Sequence, residues 1–479
     1  MKLRPYQEDM IQRTREALRR HKSVLLQGPT GCGKTALTVH MMQRSAERGI
    51  SSMFCVHQGE LLRQTSKALW QQHLEHGLIA SGRRTSRMPA QVASVQTLVR
   101  RLDRYDEPGL IIIDEAHRAA ANTYQRVMNA YPGAKIIGLT ATPARTDGKP
   151  LSDIFSDLVL GPSVRQLVDA GYLSDYELFA PPSQADVSNL KTRAGDYDKA
   201  ELQAAMDKPT ITGDAVNHYL SHARGKRCVV MCVTVDHAEH VAAQYNASGV
   251  PAECIDGTMS ETQREAAMRR FERGETLVLT NVQLMVEGVD IPAIEVVQWL
   301  RPTQSLIVWM QGNGRGLRTH DGKDRLIVFD HVGNTHRHGL PDEDREWSLE
   351  GRKKKGKRKQ DDEPDVHIQQ CLHCYHVFRP GVAACPACGA PVPRKKRPEL
   401  VEVEGELQKI DIEAERKARK REQGAARTLR ELVQLGVQRG MNKPAEWAAI
   451  TAASRVGRKP KPAEFEQARK ALQDVRASQ

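Results

Sequence analysis

The sequence predicts an α/β protein with two doubly wound parallel-sheet domains, followed by a small metal-held module and a basic helical tail. Three observations predict it. Apolar, β-rich runs alternate with helical patterns over residues 1–160, and the same rhythm returns over 215–345. A glycine-rich loop of phosphate-binding type separates the first apolar run from the helical pattern after it. Four of the nine cysteines form two C-x₂-C pairs near the C-terminus.

The elements follow in order. Ser23–Gln27, Ser51–Val56, Gly109–Ile113 and Lys135–Leu139 read as buried parallel strands, because each is a short apolar run without alternation. Between them, Leu61, Leu62, Thr65, Ala68, Leu69 and Gln72 recur on one side of a helix over Gly59–Leu74. Residues 161–214 read as a join, with helical character at Val164–Ala170 and Lys199–Met206 and a break at Pro181-Pro182. In the second domain the expected strands are Arg227–Val233, Ala252–Ile255, Thr276–Thr280, Ile294–Trp299 and Arg325–Asp330. Asp236–Ala247 and Glu261–Arg273 are expected helices. Residues 346–366 read as a charged linker, 367–392 as the cysteine module and 393–479 as the helical tail.

Charge and composition narrow the class. The 479-residue chain has a net charge of +12, of which +10 lies beyond residue 345, where 29 Lys/Arg face 19 Asp/Glu. A basic tail on a nearly neutral body fits an acidic partner, most simply nucleic acid; a solvated tail that binds nothing gives the same composition. No run of about 18 apolar residues exists, so no membrane span is expected. The opening MKLRPYQEDMIQ lacks a secretory pattern, and the cysteine usage fits a reducing compartment, so a cytoplasmic location is the expectation.

Gly28-Pro29-Thr30-Gly31-Cys32-Gly33-Lys34-Thr35 matches G-x-x-x-x-G-K-[ST]. Glycines let backbone N–H groups close around phosphate oxygens, and the helix N-terminus adds positive potential. Lys34 suits the β- and γ-phosphates, and Thr35 suits Mg²⁺. Asp114-Glu115-Ala116-His117 follows Leu110-Ile111-Ile112-Ile113, which puts both acids at the ligand-binding edge of a parallel sheet. Asp114 is the second candidate Mg²⁺ ligand and Glu115 the candidate base for an attacking water. His117 is placed to sense the γ-phosphate or to link the site to the neighbouring domain, or else packs as an ordinary histidine.

Cys371, Cys374, Cys385 and Cys388 fit one tetrahedral Zn²⁺ held by two knuckles. Four thiolates leave no open position, so the role is structural; an iron site of rubredoxin type or a redox pair uses the same residues. About thirty residues bury little core, so the metal supplies the fold. Lys353–Lys359, Tyr375, Phe378, Arg379 and Arg394–Arg397 surround this module as a candidate surface for nucleic acid, or for a replication or recombination protein docking on ribbon or tail.

More motifs stand around the phosphate loop. They are Leu3-Arg4-Pro5-Tyr6-Gln7, Thr140-Ala141-Thr142-Pro143, Glu287-Gly288-Val289-Asp290 and Gln311-Gly312-Asn313-Gly314-Arg315-Gly316-Leu317-Arg318. Together with the Asp114–His117 motif, the ordered set over residues 3–335 resembles the superfamily 2 helicases of DEAH-box type. The resemblance implies two RecA-like domains with ATP between them. It implies that Gln7 reads adenine with Arg4 or Tyr6 packed on it, that Gly288, Asp290 and Gln311 adjoin the nucleotide at the domain seam, and that Thr140 and Thr142 couple hydrolysis to domain movement. Arg315 and Arg318 would neutralise charge on the transferred phosphoryl group, and their spacing lets one helical face aim both. Gly312 stands where many relatives carry a third arginine. Gln58, Gln96, Thr97, Gly257, Thr258, Thr280 and Asn281 are the implied nucleic-acid contacts. The implied activity is ATP-dependent helicase or translocase action, with DNA favoured over RNA because this motif set resembles the repair, recombination and restriction branch. Remodelling without strand separation, or a zinc-ribbon adaptor switched by ATP, are the alternatives. The helicase core with a C-terminal zinc ribbon resembles phage- and bacteria-encoded members, which implies a bacterial or phage-infected host cell.

Overall fold

The computed structural model describes residues 2–57, 59–145, 148–180, 192–193, 196–197, 202, 209–282, 294–350, 368–392, 420–456 and 458–477. Met1–Pro393 form one compact unit and Arg394–Gln479 another.

The first sheet has seven parallel strands: β1 (Ser23–Gln27), β2 (Ser52–Val56), β3 (Gly77–Ile79), β4 (Ala90–Ser94), β5 (Leu110–Ile113), β6 (Lys135–Thr140) and β7 (Asp157–Leu160). Their order is β3-β4-β2-β5-β6-β1-β7. Every residue of β1, β2 and β5 is buried, as a sheet covered on both faces requires. Three helices matter for the site: α1 (Pro5–Arg20), α2 (Lys34–Ala46) and α3 (Gly59–Gln71). α1 starts at a proline, where a missing N–H costs nothing, and Gln7 Oε1 caps it by accepting from the Arg4 backbone N–H. α3 turns Leu62, Thr65, Ser66 and Leu69 inward, close to the stripe expected from sequence.

The second sheet draws on β8 (Asp175–Phe179). A two-residue hairpin of β9 (Thr192–Arg193) and β10 (Asp196–Tyr197) stands apart from it. The other strands are β11 (Cys228–Met231), β12 (Ala252–Ile255), β13 (Val278–Asn281), β14 (Val296–Trp299) and β15 (Arg325–Asp330). The order is β12-β13-β11-β14-β15-β8, all parallel. The stretch read as a join therefore contributes an edge strand, because the apolar residues Leu178 and Phe179 complete the core against β15. Trp299, Trp309, Tyr245 and Phe271 fill this core.

The cysteine module carries a short hairpin of β16 (Gln369–Gln370) and β17 (Val377–Phe378). It is mounted on the end of β8. Ala180 N–H donates to Tyr375 O at 3.0 Å, and Phe179 and His376 rings lie 5.4 Å apart. Arg379 pairs with buried Asp342 at 3.2 Å, and Asp342 also accepts from Tyr176. Phe378, expected on the surface, is buried against Cys371 and Cys385, where it supplies most of the bulk of the module's small interior.

The second unit packs helices Leu429–Gln438, Pro444–Ser454 and Pro462–Ala477 around Leu432, Val433, Ala448 and Ala468. Among the described residues no helix is long and apolar enough to cross a membrane.

Candidate functional site

The phosphate loop leaves the C-terminal end of β1 and enters α2 at Lys34. Two of its glycines are required by conformation and space. Gly31 and Gly33 have φ of 89° and 83°. A Cβ on Gly31 would lie 2.7 Å from Leu173, and one on Gly33 2.5 Å from Gln7 Nε2. Lys34 Nζ lies back on the loop, donating to Gly28 O at 3.3 Å.

Asp114 and Glu115 follow β5, next to the loop because β5, β6 and β1 are neighbours. Glu115 adopts a left-handed backbone, with φ 47° and ψ 50°, an unfavourable conformation for a side-chain-bearing residue that concentrates at functional sites. Burial, and then the charge of Glu115, raise the Asp114 carboxyl well above the usual carboxylate range. Burial also opposes charge on Glu115. The His117 hydrogen bond and the charges of Lys34, His117 and Arg315 outweigh it and hold the Glu115 carboxyl low.

His117 Nδ1 lies 3.4 Å from Glu115 Oε2 and 3.3 Å from Thr140 Oγ1. The Thr140 hydroxyl donates to Thr142 O at 3.0 Å, so His117 Nδ1 is the donor to Thr140. Gly28 N–H donates to Thr140 O at 2.9 Å, and Gln27 Nε2 to Ala141 O at 3.1 Å. The Thr140–Thr142 segment is thus tied to both the phosphate loop and the acidic motif.

The second domain closes the cleft. Helix Leu306–Gly316 brings Gln311, Arg315 and, just past its end, Arg318 to the phosphate loop. Gly314 packs so closely on Thr30 that an added Cβ would lie 2.5 Å from Thr30 Cβ. Lys323 donates to Gly316 O and, at 3.0 Å, to Arg318 O, holding the helix end. Gln311, Arg315 and Arg318 line a cavity of about 420 Å³ with Thr30, Lys34, Thr35, Asp114 and Glu115. Gln311 Oε1 is buried without a hydrogen-bond partner among the described residues, and buried Glu115 Oε2 meets only the His117 imidazole, at 3.4 Å. Such atoms mark a site built to receive a polar ligand. The cationic Lys34, Arg315 and Arg318 suit a polyphosphate, and the hydroxyl of Thr35 with the carboxylate of Asp114 suits a hard divalent cation.

One wall was not legible in the sequence. Tyr172, in the join, lies under the Arg4 guanidinium at 4.7 Å and 5.1 Å from the Tyr6 ring. Arg4 and Tyr172 line the cavity, offering a flat surface for a base. Gln7, expected to read adenine, is 4% exposed and holds the loop instead: its Nε2 donates to Cys32 O at 2.9 Å and its Oε1 accepts from Arg4 N–H at 3.0 Å. Tyr6 donates to the same Cys32 carbonyl at 2.9 Å.

The expected strand contacts divide. Gln96 donates to His57 O at 3.1 Å, binding two loops at the sheet edge, and Thr97 beside it is half-buried. Gly257 and Thr258 are exposed on a turn that Asp256 holds through Thr258 N–H and Oγ1, both at 2.6 Å. Thr280 and Asn281 are corrections. Both are fully buried, because β13 lies between two other strands. Thr280 Oγ1 donates to Ala238 O at 2.8 Å and Asn281 Nδ2 to Val230 O at 3.0 Å, so neither side chain faces a ligand. Gln58, Gly288 and Asp290 lie outside the described residues.

In the cysteine module all four sulfurs lie within 4.8 Å of one another, with Cys371–Cys388 at 3.6 Å and Cys374–Cys385 at 3.7 Å. Four thiolates about 2.3 Å from one Zn²⁺ stand about 3.8 Å apart in a tetrahedron, so the donor set fits. Disulfide bonds, at about 2.05 Å, do not fit these distances.

Comparison with known proteins agrees with this geometry. Residues 1–145 match the family described as type III restriction enzyme, res subunit, and residues 212–320 match the helicase conserved C-terminal domain. A 51.5 kDa protein of a Lactococcus phage is 31% identical over 392 residues, covering 81% of this chain and 82% of the relative. IRC3 of Saccharomyces cerevisiae, by name an ATP-dependent helicase, is 29% identical over 69% of this chain, which spans 51% of that relative. The type ISP restriction-modification enzyme LlaBIII, solved bound to DNA, shares the fold with a TM-score of 0.51 and 18% identity, covering 68% of this chain and 27% of its own. With two RecA-like domains meeting at a phosphate loop, an acidic pair and two arginines, the chain belongs to the superfamily 2 helicases, the ATP-hydrolysing kind.

Proposed function

We propose that the protein is an ATP-driven DNA translocase that separates strands or displaces what is bound to them. The observation that carries this reading is the cleft itself. Lys34 and Asp114 come from one domain, Arg315 and Arg318 from the other, and all line one cavity. ATP bridges the two halves. Lys34 and the loop amides hold its phosphates, and Tyr172 and Arg4 flank the base. Mg²⁺, held by Thr35 and Asp114, would neutralise phosphate charge when bound. Glu115 orients the attacking water and takes its proton, while Arg315 and Arg318 offset charge building on the γ-phosphoryl group. Loss of that group removes the bridge, and the domains part. His117 links Glu115 to Thr140 and so reports the state of the site to the Thr140–Thr142 segment.

DNA is the favoured track because the chain's similarity extends to restriction enzymes, one of them solved on DNA. The exposed Gly257–Thr258 turn and the loops joined by Gln96 and His57 grip the strand backbone, which carries no sequence information. The cysteine module holds zinc and braces the second domain through β8. Steady-state phosphate release with single-stranded DNA, duplex, branched DNA or RNA, blanked with Lys34→Ala, tests the reading. Strong stimulation by a DNA form is expected; stimulation by RNA alone overturns the DNA assignment.

A further inference from the structure

A groove of about 570 Å³ runs along the outward face of α3, bounded on its far side by Leu78 of β3 and by Arg83. Arg63, Lys67 and Trp70 follow one another at helical spacing on that face, and among the described residues no acidic side chain lines the groove, although Arg63 at its end pairs with Glu60 and Glu261. Trp70 is 56% exposed, a large apolar surface to leave in water. It is also fixed in place. One side of the indole leans on His76, with ring centres 5.0 Å apart, and His76 is itself held by Ser66 Oγ and Leu74 O, each at 2.8 Å. The Arg83 backbone is pinned by Arg101 Nη1 at 3.1 Å.

The position of the groove is informative. Its upper end is Arg63, which pairs with Glu261 at the start of helix Glu261–Glu272 in the second domain. That helix follows the Asp256–Thr258 turn, and α3 itself starts two residues after His57. The groove therefore begins beside the proposed track and leads away from it over the first domain.

We infer that this groove holds a single strand of nucleic acid leaving the core track, with phosphates on Lys67 and Arg83 and an unpaired base stacked on Trp70. A rigid aromatic among cations suits a base and its phosphates, and stacking accepts any base. A protein helix would need a broader apolar floor than Trp70 and Leu78 supply. Arg63 to Gln71 spans about 12 Å of helix, the length of three to four stacked nucleotides at about 3.4 Å each. The inference rests on the nucleic-acid reading above.

The test is fluorescence anisotropy of the full chain with labelled single-stranded DNA of increasing length, in a non-hydrolysed ATP analogue. Wild type should gain about tenfold in affinity over the few nucleotides that reach Trp70. Trp70→Ala and Lys67→Glu should lose that gain while binding the shortest retained strand as wild type does. Trp70→Phe should keep most of it. Both side chains are exposed, and ATP turnover without nucleic acid reports that each of the three variants is folded. Identical length dependence in Trp70→Ala, Lys67→Glu and wild type overturns the groove and leaves the core reading standing. If wild type binds no strand of any length, DNA or RNA, the nucleic-acid reading fails and the groove with it.

Discussion

Gly314→Ala separates closure of the cleft from stability of the fold. Gly314 lies inside helix Leu306–Gly316, where alanine should favour the helix by about 1 kcal/mol. The new Cβ, however, would point across the cleft. It would lie 2.5 Å from Thr30 Cβ, 3.0 Å from Oγ1 and 3.1 Å from Cγ2. Carbon atoms prefer about 3.5–4.0 Å, so the helix or the loop must retreat by about 1 Å. Overpacking of this kind costs about 1–3 kcal/mol, which lowers the closed population about 5- to 150-fold. Arg315, the next residue, withdraws with the helix. Phosphate release at saturating ATP should fall by a similar factor, with the melting temperature unchanged or raised. Gly312→Ala is the contrast, because its Cβ would meet Trp299 at 2.6 Å within the same domain and should lower the melting temperature. Thr30→Gly should restore turnover to Gly314→Ala by removing the opposing atoms. Wild-type turnover in Gly314→Ala would refute the reasoning.

Tyr172→Ala should raise the KM for ATP about twofold to thirtyfold with little change in kcat, since stacking and cation–π contacts contribute about 0.5–2 kcal/mol; KM measured for ATP against a triphosphate lacking the base checks it. Cys374→Ser should remove one zinc per chain by metal analysis and lower the melting temperature of the second domain, because the module is bonded to β8; full metal content in that variant would contradict the ligand set. Burial pushes the His331 imidazole down to about 3. The unfolded chain therefore takes up a proton below about pH 6.5 that the native state refuses, and stability falls as pH drops, by about 1.4 kcal/mol per unit at most, down to about pH 3. Denaturant unfolding at pH 7 and pH 5 should show this loss in wild type and less of it in His331→Gln.

Sequence reading located elements whose burial speaks through composition. β1 and β15 fall on the residues expected, because each carries a run of apolar residues into a covered sheet; β12 also falls as expected, although it is a half-buried edge strand that includes Glu253. β3 and β4 were silent. Gly77-Leu78-Ile79 is too short to stand out, and Gln91 interrupts β4 although it is 4% exposed, its Nε2 donating to Ser86 O and Met88 O. β8 was hidden by its place among the residues joining the domains. The catalytic motifs were legible because phosphate and metal chemistry dictates residue type as well as spacing. Tyr172 was not, since its approach to Arg4 and Tyr6 exists only after folding. Thr280 and Asn281 misled because sequence shows a hydroxyl and an amide at a strand end and not which way they point. The left-handed turn at Glu115 carries no sequence signal, glutamate being an unexpected residue for it.

The measurement closest to the central claim is nucleotide binding and phosphate release in Arg315→Ala, with the same nucleic acid saturating throughout. Because Arg315 reaches a site whose phosphate loop lies in the other domain, ATP affinity should stay near wild type while hydrolysis falls about 10³- to 10⁵-fold. Unchanged hydrolysis would mean that the cleft shared by the two domains does not carry the chemistry.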